Sequence, residues 1–331
     1  MPKRTHPTRR QLVATAAALA GAAVVPGLRA QAAKFPSRQI RIIVPFPPGG
    51  LTDAYARLYA EHLTQFLGAS VVVENKTGGG AVIGIDAVAK APPDGYTLLV
   101  TTTGTVMQNR VLYTKLPYNL DKDLVPIAVF PSGPLVVAVS AAVPARDVKE
   151  FLAWAKGRDA SMGSYAPGSY PHMLADLFNR SHGTKLQVVQ YRGESPMWVD
   201  LASGQIQIAV GSVQAYNTVS TRGVKPIGVT GNYRTPRLPD LRTLLEQGID
   251  DPLVALEGGL AMMAPAGTPE AVLRTLSEVV VKGAATPQAA KLRENFGIPN
   301  QPKNLEGTRA DWDRQVPAWI KAAVSLGVKL D

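Results

Sequence analysis

The sequence predicts an α/β protein built from two doubly wound units. Short apolar runs of the kind buried in parallel sheets alternate with segments of helical period. Several of these runs end in Gly- or Pro-rich turns that open directly into a helical segment, the mark of repeated βα units. The chain has 331 residues, a length that suits two domains better than one.

Ile40 to Val44 forms the first strand-like run, and Pro45-Phe46-Pro47-Pro48-Gly49-Gly50-Leu51-Thr52-Asp53 follows it. A helix over Thr52 to Leu67 repeats apolar residues at Leu51, Tyr55, Leu58, His62/Leu63 and Phe66, and Gly68 stands at its C′ position. Ser70 to Glu74 is the second strand. Gly78-Gly79-Gly80 leads into a helix near Ala81 to Ala91, which Pro92-Pro93-Asp94-Gly95 closes. Thr97 to Thr101 is the third strand and runs into Thr102-Thr103-Gly104-Thr105. A second α/β set opens around Leu135 to Ser140. It holds a helix at Asp147 to Lys156, a strand near Ser161 to Tyr165, and a helix from Pro171 to Asn179. Strands follow near Leu186 to Gln190, Ile206 to Val210 and Ile227 to Thr230. The last third has a run at Gly258 to Ala264, a turn at Pro265 to Pro269, and helices at Glu270 to Ala284, Pro287 to Phe296 and Thr308 to Leu326. The sequence shows no internal repeat.

The Pro45–Asp53 segment carries the most chemistry. Its prolines fix φ and lack amide donors, and its two glycines open backbone conformations closed to other residues. Bare N–H groups from Gly49 to Asp53 are thereby aimed at one point above a helix start, which is a place for an anion. The segment lacks the lysine of GxxxxGK[ST] and does not match GxGxxG, so a carboxylate clamp fits better than a nucleotide loop.

Arg9-Arg10, the apolar run Leu12 to Leu28 and Ala30-Gln31-Ala32 make a Tat-type export signal over residues 1–32. The run is broken by Gly21, Pro26 and Gly27 and falls short of the roughly 20 apolar residues of a membrane span. With no cysteine in the chain, a lipid anchor at the signal site, disulfides and thiolate metal sites are all excluded. A soluble periplasmic protein is expected. The net charge is +10, from 35 basic and 25 acidic residues. Lys3, Arg4, Arg9, Arg10 and Arg29 lie in the signal and leave 30 basic residues, a net of +5, spread along the mature chain. No basic block interleaves with aromatic residues, which argues against nucleic-acid binding. A mild positive field favours small anions.

Several segments, in this order and spacing, resemble one family: PFPPGGLTDAYAR (45–57), VVENKTGGGAVIGIDAVAKAPPDGYTLL (72–99), GSYAPGSYPHM (163–173), YRGESPMWVDLASGQIQ (191–207), RTPRLPDLRTLLEQGI (234–249) and APAGTP (264–269). Over residues 34–331 the chain is similar to Bug-type receptors, the substrate-binding proteins of tripartite tricarboxylate transporters. The resemblance implies a type II periplasmic-binding-protein fold, with two doubly wound α/β domains that close on a ligand. Domain I would hold residues 33–136 and 257–331 and domain II residues 137–256, joined by hinge strands near 134–140 and 256–264. It further implies a monomer that binds a small carboxylate with the help of water and delivers it to integral membrane transporter subunits, without catalysis, cofactor or metal.

Gly49, Gly50 and Asp53, with Phe46 beside them, match the first clamp of that family. Asp53 would hold water or an amino group, or cap the helix. Thr103 and Gly104, within Thr101–Thr105, sit at the carboxyl end of a parallel strand, where open α/β sheets bind ligands. Ser164, Tyr165, Gly168, Ser169 and His172 would form a second clamp, with Tyr165 as a pocket wall and His172 either a ligand contact or structural. Tyr191 would present its hydroxyl to the site or be a buried structural tyrosine, and Asp200 would tie its helix to nearby backbone. A ligand would dock on Gly49–Asp53, and closure would bring Ser164–Ser169 and Tyr191 onto its other end. With few cations in these loops, dipoles and water must offset the buried charge. Arg192 is the exception, and it would equally serve a hinge salt bridge.

Two positions depart from the family pattern. Glu257-Gly258-Gly259 stands where a tryptophan is usual, and Glu194 stands where a small residue is usual. A carboxylate at Glu194 would repel a di-acid unless a cation accompanied it. That predicts a ligand larger than a C4 dicarboxylate or one with an amino group near Glu194, unless Glu194 simply faces solvent on the rim.

An enzyme is the main competitor. Beyond the signal only His62, His172 and His182 remain, and His62 lies on the inward stripe of its helix. Gly163-Ser164-Tyr165 is not a GxSxG elbow, and HExxH is absent. A hydrolase is therefore disfavoured. A receptor that signals through a membrane sensor kinase would close on its ligand in the same way.

Overall fold

The computed structural model describes residues 35–256 and 258–330. The export signal expected at 1–32 and the departure at Glu257 lie outside them. Residues from Arg38 onward form one compact unit that contains two five-stranded sheets.

The first sheet has the order β2-β1-β3-β10-β4, with β1 Ile40–Val44, β2 Val71–Asn75, β3 Thr97–Thr102, β4 Leu124–Pro131 and β10 Gly259–Pro265. The second has the order β7-β6-β8-β5-β9, with β5 Val136–Val139, β6 Ser161–Ser164, β7 Gln187–Gln190, β8 Ile208–Gly211 and β9 Lys225–Val229. Both follow one plan. Three parallel strands stand at one side, β2-β1-β3 and β7-β6-β8. One antiparallel strand follows, β10 or β5, and then the last strand. The sheets are therefore mixed where the sequence predicts mostly parallel ones. The antiparallel strand in each sheet is the first strand after the chain crosses from the other sheet. The repetition is one of topology alone, without a sequence repeat.

The helices are α1 Leu51–Leu67, α2 Val82–Ala89, α3 Thr103–Leu112, α4 Val148–Ala155, α5 Tyr170–His182 and α6 Glu194–Ser203. They continue with α7 Val213–Asn217, α8 Pro252–Ala255, α9 Glu270–Ala284, α10 Pro287–Phe296 and α11 Leu305–Ser325. Gly68, in the left-handed region with its N–H on the Thr64 carbonyl, ends α1. β1 and β10 are buried along almost their whole length, as strands covered on both faces must be. One apolar cluster runs from Ile43 and Leu99 on the first sheet to Val137 and Met162 on the second, and includes Tyr170, Leu253, Trp312 and Trp319. Among the described residues, no helix is long and apolar enough to cross a membrane.

Candidate functional site

The parallel strands of each sheet deliver loops from their carboxyl ends. β1 leads through 45–50 into α1, β2 through 76–81 into α2, and β3 directly into α3. On the second sheet β6 leads through 165–169 into α5, β7 through 191–193 into α6, and β8 through Ser212 into α7. Ligands of open α/β sheets bind at such ends.

The 45–50 loop is braced from below. Gly50 is the N-cap of α1 and offers no side-chain cap, so the first-turn N–H groups of this helix have no intrahelical partner. Pro47, Pro48, Gly49 and Gly50 are exposed, and Gly49 takes φ +91°. Asp53 lies buried beneath them. Its carboxylate accepts from the Gly49 N–H (3.0 Å), from Arg57 (2.9 and 3.0 Å) and from Asn75 Nδ2 (3.0 Å). Asn75 Nδ2 also donates to the Phe46 carbonyl at 3.0 Å, and the half-buried Phe46 ring packs against the core. Burial alone would raise the Asp53 pKa, but the bonds from Arg57, Gly49 and Asn75 together hold it below its ordinary value. Asp53 thus props the loop, and Gly49 has committed its amide to Asp53.

Thr103 is also committed. Its buried hydroxyl donates to the Gly259 carbonyl (3.2 Å) and accepts from the Gly259 N–H (3.1 Å), which pins the start of β10. Thr102 caps α3 by accepting from the Thr105 N–H at 3.2 Å. Gly104 lies against Gln108 and the Trp319 ring, where an added Cβ would stand 3.4 and 3.6 Å from them. Trp319 is 2% exposed, and its ring meets Tyr170 with centroids 6.5 Å apart. This indole thereby links the α3 start to the start of α5 on the second sheet. Its position on α11 is 215 residues from Gly104, and nothing in the local sequence signals the meeting.

The second loop is likewise stitched to itself. The Ser164 hydroxyl donates to the Ala166 carbonyl (2.8 Å) and lies 2.9 Å from the Ser169 hydroxyl. His172 Nδ1 accepts from the Gly168 N–H at 3.0 Å, which leaves the imidazole proton on Nε2. Burial pushes the His172 pKa down, against a smaller opposing effect of Asp176, so the ring is a neutral staple for the loop. Gly168 has φ +73° and abuts Leu112 of α3. Tyr191 donates to Asp200 at 2.8 Å, so its hydroxyl proton is already committed within the chain. Asp200 is tied to that side chain and not to the backbone as expected. Arg192 is exposed and takes part in none of the described ion pairs, so the hinge salt bridge is absent among the described residues.

Glu194 does not face solvent freely on a rim. It is half-buried, and its Oε2 accepts from the Ser212 N–H (3.1 Å) and the Ser212 hydroxyl (2.6 Å). Burial raises its pKa, and the two bonds from Ser212, with a smaller effect of the nearby Trp198 indole dipole, only partly oppose this. The half-exposed Tyr165 stands close enough for the Glu194 charge to help push its phenol pKa up, beyond the main effect of burial. Ser212 escapes the sequence reading. Its only signal is a serine directly after an apolar run, a common N-cap pattern.

Of the helices that begin at these carboxyl ends, α3 and α7 are capped by Thr102 and Ser212, whereas α1, α2, α5 and α6 carry no side-chain cap. What the α1 start offers is therefore backbone N–H groups beneath an exposed loop, whereas the first turns of α5 and α6 each lose one donor to a proline, Pro171 and Pro196. Among the described residues, no group of three or more His, Asp or Glu side chains is placed to hold a metal ion.

Residues 55–309 match the model of the tripartite tricarboxylate transporter family receptor. The chain is 36% identical over 269 residues to a protein encoded in the tcbD–tcbE intergenic region of Pseudomonas sp. (strain P51), with 80% of this chain and 79% of the relative covered. An R. palustris protein solved with adipate superposes with a TM-score of 0.78 at 30% identity, over 89% of this chain and all of that one. The periplasmic binding protein BugD gives a TM-score of 0.74 at 30% identity, over 89% of this chain and all of BugD. The chain belongs to the tripartite tricarboxylate transporter receptor family, and its fold is that of the periplasmic binding proteins.

Proposed function

We propose that this receptor holds a small carboxylate-containing ligand between the loops of its two sheets and delivers it to membrane subunits of a tripartite tricarboxylate-type transporter. Export to the periplasm, closure of residues 33–136 and 257–331 against 137–256, and the absence of catalysis belong to the same proposal. The observation that carries it is the uncapped first turn of α1 beneath its exposed loop. A carboxylate seated there replaces the missing cap and meets the positive end of the helix dipole. The contacts are neutral dipoles, which is why most of the candidate side chains serve to brace loops: Asp53, Ser164, Ser169 and His172 hold the backbone in place, and the backbone binds. Phe46 and Tyr165 supply half-buried aromatic walls. The adipate held by the R. palustris neighbour supports the carboxylate class.

The test is thermal unfolding of purified protein, freed of co-purified ligand by unfolding and refolding, against mono-, di- and tricarboxylates, aromatic acids and acidic amino acids. A ligand at 100 times its Kd adds about 2.7 kcal/mol. A large shift confined to one chemical group is expected, and no shift with any acid overturns the proposal.

A further inference from the structure

The carboxyl ends of β7, β6 and β8 stand side by side in that order. Glu194 follows β7 and Ser212 follows β8, so the bond between them spans the end of β6, the strand that leads into Ser164 and Tyr165. A carboxylate of the chain therefore already occupies two donors, the N–H and the hydroxyl of Ser212, at the place where a ligand of this sheet approaches. The residue stays close to β8, since a Cβ on Gly211 would come within 3.1 Å of Glu194 Cδ. It keeps part of its surface in solvent. It forms none of the described ion pairs, and both of its bonds to Ser212 fall on Oε2. The titratable neighbour is the Tyr165 phenol, which carries no positive charge.

A half-buried carboxylate with no cation beside it repels a second carboxylate and attracts a donor, most strongly a cationic one, whose approach favours its ionised form. The geometry points to Glu194 as the specificity-determining residue of the second sheet: it rejects a ligand that presents a carboxylate there and accepts one that presents an ammonium or another hydrogen-bond donor. The ligand is then a carboxylate at the α1 end and a donor at the Glu194 end, that is, an amino-carboxylate in place of a plain dicarboxylate. This rests on the receptor function proposed above.

Calorimetric titration with matched pairs tests it: adipate against 6-aminohexanoate, and glutarate against 5-aminopentanoate. The parent should bind the amino-carboxylate of at least one pair at least tenfold more tightly. Glu194→Gln keeps an acceptor for Ser212 and removes the charge, so it should lose that preference and gain at least tenfold for the dicarboxylate. Glu194→Ala should shift in the same direction, and if it fails to fold, Glu194→Gln decides. Dicarboxylate binding to the parent with a preference that Glu194→Gln leaves within twofold overturns the role of Glu194 while the receptor function stands. If neither probe class binds parent or variant and the wider acid screen also gives no shift, the receptor function fails and this inference with it.

Discussion

The Gly49 amide donates to the carboxylate of Asp53, four residues on in the first turn of α1, at 3.0 Å. The helix start thus satisfies one donor of the loop and leaves the next ones open. The donors left for a ligand begin after Gly49, on the first turn of α1.

Leu51 is the first helical residue of α1, and Gly50 before it is extended with φ −84° and ψ 176°. Proline is compatible with that position and lacks only an N–H that the helix leaves unpaired. Leu51→Pro should keep the melting temperature close to the parent and weaken carboxylate binding roughly 10- to 100-fold, the worth of one hydrogen bond to a charge. Unchanged affinity in a titration would remove α1 from the site.

Asp53 has a lowered folded pKa. Its stabilisation is fully present above the unfolded value of 3.8 and is lost as pH falls through the folded value. Asp53→Asn should cost about 1–3 kcal/mol at pH 7, less than a fully buried pair because Arg57 is half exposed. Urea unfolding should show the difference between parent and variant shrinking in acid. A difference independent of pH would contradict the network.

For Glu194 the sign is opposite. Its folded pKa is raised, so the ionised form carries a penalty that is absent below the unfolded value and develops as pH rises through the folded one. Glu194→Gln should melt higher than the parent at neutral pH, and the two curves should meet in acid. Melting temperature against pH reads this directly, and a variant that melts lower at neutral pH would show the charge to be stabilising.

Gly168 combines φ +73° with a Leu112 methyl only 2.2 Å from where a Cβ would stand. Gly168→Ala should destabilise by roughly 1–3 kcal/mol through strain and overpacking. Adding Leu112→Ala should relieve the overpacking and leave the φ strain, so the double variant should fall short of the sum of the single ones. Strict additivity in chemical unfolding would mean that the two residues do not meet.

Tyr191→Phe removes the bond to Asp200. A loss of about 1 kcal/mol in stability is expected, with ligand affinity within about twofold of the parent. A large affinity loss with normal stability would return Tyr191 to the ligand.

The elements that were legible are those with punctuation. α9 and α10 have the bounds that the sequence predicts, Glu270–Ala284 and Pro287–Phe296, because Pro269, Thr286-Pro287 and Gly297 mark their ends. β4 was not legible, since Pro126 and Pro131 argue against a strand. Its place at the sheet edge is what tolerates them. α3 was hidden by a Thr-Gly-Thr start of low helical propensity, which turns out to carry the Thr102 cap. Strand direction in β5 and β10 leaves no local trace, because an apolar run is the same read in either sense. At the site, the loops were found from glycine and proline, but the roles of their side chains were not. Asp53, Thr103, Tyr191 and Glu194 are ambiguous until the partners Asn75, Gly259, Asp200 and Ser212 are known, and tertiary contact alone supplies those.

The chain leaves the first sheet after β4 and returns to it at β10, and at that place the Ser132 N–H bonds the Gly258 carbonyl at 3.1 Å. Two crossings laid side by side and buttoned together behave as a ribbon and not as a pair of independent threads. A ribbon folds readily about the line across its width and resists wringing about its length. In the closure proposed above, such a ribbon would favour one opening direction and would bring the loops of the two sheets back to the same alignment each time.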